Sequence, residues 1–201
     1  ETVCILTNMD EPLGYAVGNT LEVIEAVKFL KGDMPQDVKD VVLELGAYMI
    51  KLANLGENIE ENKQKMLENI QNGKAYSKFL ELVQNQGGDI SYINDINKFK
   101  KAKYIEEVRT KDLGYINSIN AQSIGKLACY LGAGRVKKED VIEPEVGIIL
   151  NKKVGDQVNK NDILAYIHSN SKEKLEYAKK EILSIIKINT KKPKTIPIIL
   201  D

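Results

Sequence analysis

Asn8–Val27 reads NMDEPLGYAVGNTLEVIEAV, and its reading decides the fold. Upstream lies TVCILT (2–7), a short apolar run with strand-like composition. Downstream, Leu21, Ile24, Val27 and Leu30 or Lys31 recur with the spacing of one helical face. Asn19 followed by Glu22 has the form of a capping box, which predicts a helix from Asn19 to about Lys31, stopping at Gly32. Two glycines, Gly14 and Gly18, lie between strand and helix. A glycine-bearing loop in that position often cradles phosphate.

The residues argue against phosphate. A P-loop places Lys and Ser or Thr after its last glycine, whereas Asn19, Thr20 and Leu21 follow here. A dinucleotide loop needs three close glycines, and Glu11 and Glu22 flank this one with negative charge. Two readings stay open. Backbone carbonyls around Leu13–Ala16, with the carboxylate of Glu25, form a donor set suited to a hard or monovalent cation. Alternatively, the glycines only permit a tight turn and Glu25 is an exposed helix residue.

Outward from this loop, three more helices are expected before residue 100. The second opens at Pro35, with Val38, Val41, Val42, Leu45, Met49 and Leu52 on a core face. The third covers about 58–71, the fourth about 75–83, and Gly87-Gly88 follows. The basic stretch KFKKAKY (98–104) marks a boundary near residue 100. Beyond it come the strand-like segments YIEEV, GYINSI, GIIL and ILAYI, a small helix at 122–131 and a final helix at 172–186. The tail TKKPKTIPIILD, with two prolines, does not continue that helix.

Composition narrows the class. The 201 residues contain 29 Lys plus Arg and 29 Asp plus Glu, so no global field draws in nucleic acid or an acidic membrane. No run approaches the roughly 18 apolar residues of a membrane span, and no signal peptide is expected. Cys4 and Cys129 are read as two buried reduced thiols, which favours a cytoplasmic protein. His168 is the single histidine, which excludes a multi-histidine metal site, and it is read as ending a strand. Arg135, Lys137, Lys138 and Asp140 are read as a turn with surface ion pairs.

MDEPLGYAVGNTLEVIEA resembles the M-[DN]-x-P-L-G-x-x-V-G-N-x-L-E-V-x-E-A segment of the pyrimidine nucleoside phosphorylases and their thymidine phosphorylase relatives. GAGRVKKEDVIEPEVGI (132–148) is similar to the signature of that family's C-terminal domain. The resemblance runs to about residue 186. It implies an α/β (α+β) protein: residues 1–100 as the end of the central phosphorylase domain, 101–188 as a hammerhead-like mixed α/β C-terminal domain, and 189–201 as a tail. It implies phosphorolysis of pyrimidine nucleosides in a parent enzyme that is a homodimer when full length, with nucleoside and phosphate as partners. It also implies a potassium-like cation on the carbonyls of Leu13 and Ala16 and the carboxylate of Glu25. The family's phosphate loop, K-x-S-x-G-G-x-G-D, and its base-gripping Arg, Ser and Lys have no counterpart here, so no catalytic residue is assigned, the chain alone is expected to be inactive, and a monomer is compatible with the resemblance.

A competing reading comes from GIILNKKVGDQVNKNDILAYI (147–167), which is similar to half of a biotinyl or lipoyl carrier domain. A carrier needs a modifiable lysine at an exposed hairpin tip. Lys172 and Lys174 instead fall in a predicted helix.

Overall fold

The computed structural model describes residues 1–135 and 137–200. The chain forms two compact units. One is helical and takes Glu1–Asn8, Ile24–Lys98 and the tail from Pro197; the other is β-rich and takes Met9–Val23 and Phe99–Ile196. Helix α1 (Asn19–Leu30) contributes its first five residues to the β-rich unit and the rest to the helical one.

In the helical unit, α2 (Gln36–Leu52) packs on α3 (Ile59–Gln71), followed by α4 (Lys74–Asn85), α5 (Ser91–Asn94) and a 3-10 turn at Ile96–Lys98. Asn58 caps α3, its side chain accepting from the N–H groups of Glu60 (3.0 Å) and Glu61 (3.3 Å). Buried Asn62 ties α3 to its surroundings, donating to the carbonyls of Ala47 (3.2 Å) and Gly56 (2.9 Å). Its Oδ1 has no hydrogen-bond partner and lies where a side chain at Gly56 would have to go. Lys63 bridges Glu44 (2.7 Å) and Glu60 (2.8 Å), and these two carboxylates push its pKa up.

The predicted core face of α2 is corrected. Val41, Leu43 and Ala47 are buried, while Val42, Leu45, Met49 and Leu52 form an exposed apolar stripe, with Met49 70% accessible. Both sides of the helix are apolar, and α3 covers only one of them. The expected strand at 2–7 is also corrected. Thr7 makes one antiparallel bridge to Ile199, flanked by Asn8 N–H to Ile198 O (2.8 Å) and Leu200 N–H to Leu6 O (2.8 Å). Among the described residues its pairing partner is the tail, and one bridge does not make a strand.

The β-rich unit holds two antiparallel sheets. The first orders β1 (Ala16–Val17), β4 (Gly147–Leu150), β6 (Ile163–Ser169) and β2 (Tyr104–Arg109). The second orders β5 (Gln157–Val158), β3 (Gly114–Ile119) and β7 (Ile186–Asn189). Helix α6 (Ala121–Ala128) runs into a π turn at Cys129–Ala133, and α7 (Lys172–Ile185) packs on β6. Asn120 caps α6 and Ser171 caps α7 through side-chain acceptors. Ile116, Ile124, Ile148, Ile167, Leu175 and Ile182 are fully buried in one core. Each such side chain contributes roughly 1.5–3 kcal/mol of apolar burial. The architecture is α+β, as expected.

Candidate functional site

The loop at 9–18 lies in the β-rich unit, and β4 dictates its exit. β1 pairs Ala16 with Ile149 and Val17 with Ile148, and Leu150 N–H donates to the carbonyl of Tyr15 (2.7 Å). Successive carbonyls along a strand point to opposite edges, so that of Ala16 turns away from β4. Gly18 (φ +147°) and Gly147 (φ +152°) then pass each other back to back. A Cβ on Gly18 would stand 2.6 Å from Val146 O, and one on Gly147 would stand 2.4 Å from Val17 O. Gly18 is therefore a packing glycine. It is needed because two backbones meet there.

The start of α1 is closed to an anion. Gly18 N–H donates to the Glu22 carboxylate (2.9 Å), and Thr20 N–H donates to Pro144 O (2.9 Å). These two donors are engaged within the chain, and the Glu22 carboxylate beside them would repel phosphate. The predicted capping box does not form, since Glu22 reaches back to the N–H of Gly18, which has no side chain to reciprocate. Gly18 rather than Asn19 precedes the helix, and the Asn19 side chain donates to Ala133 O (2.7 Å) instead.

The loop does hold a cation, and it is the protein's own. Lys153 Nζ donates to the carbonyls of Pro12 and of Gly14 (the latter at 3.1 Å). It lies 3.7 Å from the Glu11 carboxylate and 5.8 Å from the centre of the Tyr15 ring. Glu11 also accepts from Val154 N–H (3.0 Å). Lys153 is presented by a tight turn: Asp156 accepts from Lys153 N–H (2.8 Å), and Gly155 takes φ +94°. Gly155 N–H and Ile116 O, then Ile116 N–H and Asp156 O, lock that turn to β3, each at 2.9 Å. Sequence reasoning missed Lys153, because its contacts cross 139 and 141 residues of chain.

Of the residues assigned to the cation, Leu13 and Ala16 lie in this loop, Leu13 exposed and Ala16 buried. Glu25 is half-buried on α1, in the helical unit. The carbonyls that accept from the Lys153 ammonium are those of Pro12 and Gly14, next to Leu13 but outside the assigned set. Two carbonyls and one carboxylate are oxygen donors of the kind a monovalent cation takes. Among the described residues no group of three or more His, Cys, Asp or Glu converges on a common point.

The remaining candidates are structural in character. His168 is half-buried next to the end of β6, opposite Gly147 and Ile105, and burial pushes its pKa down. Cys4 is exposed and Cys129 is half-buried against Gly134; both are free thiols, so the expected burial of Cys4 is corrected. Cys4 lies in the segment that failed to form a strand. Lys137 N–H donates to Asp140 (2.8 Å), closing the turn after Arg135. Lys172 and Lys174 sit in the first turn of α7, so neither is a hairpin-tip lysine.

A further polar junction was not foreseen. Asn170 Nδ2 donates to both Glu143 and Glu145 (3.0 Å to the latter), while its Oδ1 accepts from Lys103 N–H (2.9 Å). Lys100 pairs with Glu145, which is buried. Burial pushes the Glu145 carboxyl up, but Lys100 and Asn170 outweigh it and hold its pKa below the ordinary value.

Comparison with known proteins gives the class first. Residues 115–189 match the family model described as Pyrimidine nucleoside phosphorylase C-terminal domain. This stretch spans β3, α6, β4, β5, β6, α7 and β7, so the match covers most of the β-rich unit. The pyrimidine-nucleoside phosphorylase of Staphylococcus epidermidis is 45% identical over 172 residues, covering 86% of this chain and 40% of that protein. That of Bacillus subtilis is 44% identical over 170 residues, covering 85% of this chain and 39% of the relative. That of Geobacillus stearothermophilus is 40% identical over 189 residues, covering 94% of this chain and 43% of the relative. The chain is thus related to the pyrimidine-nucleoside phosphorylases over most of its length, and it spans about 40% of the length of the curated relatives it matches.

Proposed function

We propose that this chain is the C-terminal part of a pyrimidine-nucleoside phosphorylase. The enzyme would convert a pyrimidine nucleoside and inorganic phosphate to the free base and a (deoxy)ribose 1-phosphate. A phosphate oxygen bonds to C1′ as the C1′–N bond breaks, and the bonding pair leaves with the base. Residues 1–100 would be the end of the central domain, and 101–188 the C-terminal domain.

The observation that carries this reading is the uncovered stripe Val42, Leu45, Met49 and Leu52 beside the match over 115–189. The closed β-rich unit is the part the family model recognises. The helical unit exposes apolar surface suited to further protein. The K-x-S-x-G-G-x-G-D motif does not occur in the 201 residues, so the phosphate and base contacts would lie in preceding sequence.

The carbonyls of Leu13 and Ala16 and the carboxylate of Glu25 would hold a potassium-like ion. When bound, the ion supplies a fixed positive charge that organises backbone near the phosphate site. Glu25 would set its affinity through charge. Homodimerisation of the full-length enzyme and a cytoplasmic location belong to the same proposal. No helix among the described residues is long and apolar enough to cross a membrane.

Phosphate-dependent release of uracil from uridine tests the reading, with the intact mass checked in the same sample. The 201-residue chain should release none, and the full-length protein should release uracil only with phosphate. Release by the 201-residue chain would put the chemistry inside these residues. In the full-length protein, Glu25→Ala should weaken both potassium dependence and phosphorolysis. Activity that is flat across potassium concentrations would remove the ion from the proposal.

A further inference from the structure

We infer that Lys153 is a positioning residue for the cation loop. Its ammonium, seated on the carbonyls of Pro12 and Gly14, fixes the backbone from which Leu13 and Ala16 present theirs. The inference rests on the cation site of the proposed function and adds a residue that the site's own ligands do not include.

The geometry is that of a latch. Lys153 and Glu11 are both largely buried, with side-chain accessibilities of 13% and 23%. The two form a pair, so the ammonium adds little net charge that would repel a second cation nearby. Glu11 also binds Val154 N–H, so the loop is tied to the turn at two points, one through each partner. The turn is itself built into β3 and closed by Asp156. Pro12, Leu13 and Gly14 are consecutive, so clamping the first and third carbonyls leaves the middle peptide little freedom to rotate. A site made of carbonyl dipoles depends on such fixed orientation, because a misdirected dipole contributes nothing. Groups that orient metal ligands change metal affinity roughly 10–100-fold when removed.

The test uses Lys153→Met, Lys153→Arg and Glu11→Gln in the full-length phosphorylase. The thermal shift given by KCl over choline chloride at equal ionic strength is read beside the potassium dependence of phosphorolysis. Lys153→Met should raise the potassium concentration for half the thermal shift by roughly 10–100-fold. Activity should return towards wild type at saturating potassium. Lys153→Arg, which keeps the charge, should recover part of the affinity, and Glu11→Gln should fall between.

In the 201-residue chain, Lys153→Met should also speed hydrogen exchange at Gly14 and Tyr15. A wild-type enzyme with no potassium-specific shift would overturn the cation reading and this inference with it. A wild-type shift that Lys153→Met and Glu11→Gln both leave unchanged would overturn the role of Lys153 alone. Unchanged exchange at Gly14 and Tyr15 would also sink the latch. Should Lys153→Met fail to fold, Glu11→Gln and Lys153→Arg carry the same comparison.

Discussion

The β-rich unit and the helical unit are made from similar residues and use them differently. In the first, Ile148, Leu164, Ile167, Leu175 and Ile182 from two strands and one helix meet in a continuous core and are almost wholly removed from solvent. In the second, α2 is apolar on both sides; Val41, Leu43 and Ala47 are buried, while Val42, Leu45, Met49 and Leu52 stay exposed. Helix α4 buries no residue at all. One unit closes on itself, and the other stops with its apolar surface half covered. Stability should therefore be concentrated in the β-rich unit, with amides of β6 exchanging more slowly than those of α4.

Core truncation should separate the two units most clearly. Ile167→Ala removes a side chain with no accessible surface and should cost roughly 2–5 kcal/mol in chemical denaturation. A cost below about 1 kcal/mol, the range of an exposed position, would mean that the core is not packed as described.

Gly147→Ala should come next. Its Cβ would meet the Val17 carbonyl at 2.4 Å, at a backbone angle that side chains avoid. Strain and overpacking together should cost roughly 2–4 kcal/mol. The change would also pry β1 from β4, so exchange at the amide of Leu150, which is bonded to Tyr15, should accelerate. Full stability in this variant would show that the two glycine backbones do not pass as closely as they do here.

Asn170→Ala tests the polar junction. It leaves buried Glu145 with Lys100 as its remaining named side-chain partner and should cost roughly 1–3 kcal/mol at neutral pH. Glu145 has a lowered pKa, so its contribution is complete above the ordinary carboxylate value and is lost as pH falls through the folded value. The cost of Asn170→Ala should shrink in acid, and a pH-independent cost would detach it from Glu145.

These effects show what could be read from the chain. The polar helical stretch at 58–71 marked α3, and the apolar run ILAYI marked β6, because such patterns are local signals. β1 and β5 have two residues each, too few to display alternation. β7 has only four and follows α7 directly, so IKIN was absorbed into a helix end and a tail. The face of α2 was misassigned because periodicity finds an apolar stripe but does not say which partner covers it. Leu13 and Ala16 are assigned through resemblance, whereas Lys153 was invisible because the turn that presents it is local and its target is not.

His168 offers a smaller effect. Burial lowers its pKa in the folded state, so the unfolded chain binds the proton more readily. Stability should be complete above the ordinary histidine value of 6.5 and fall as pH drops from there towards the folded value. Subtracting the same profile for His168→Gln isolates this slope from the carboxylates that titrate lower. An identical profile for the two proteins would remove the histidine from the account.

The smallest effect is the most informative about the helical unit. Met49 is 70% exposed at the centre of the stripe with Val42, Leu45 and Leu52. Met49→Lys places a charge where water already reaches, so the 201-residue chain should keep its stability to within about 0.5 kcal/mol. The same change should reduce binding of an apolar dye and any self-association, since it interrupts a contiguous apolar surface. In the longer enzyme that the proposed function calls for, the position should behave like a core site, because a buried unpaired lysine is costly. Loss of stability in the full-length protein but not in the 201-residue chain would identify the stripe as the face that the rest of the enzyme covers. Equal tolerance in both would leave the stripe as solvent-exposed surface and remove the observation on which the proposed function leans.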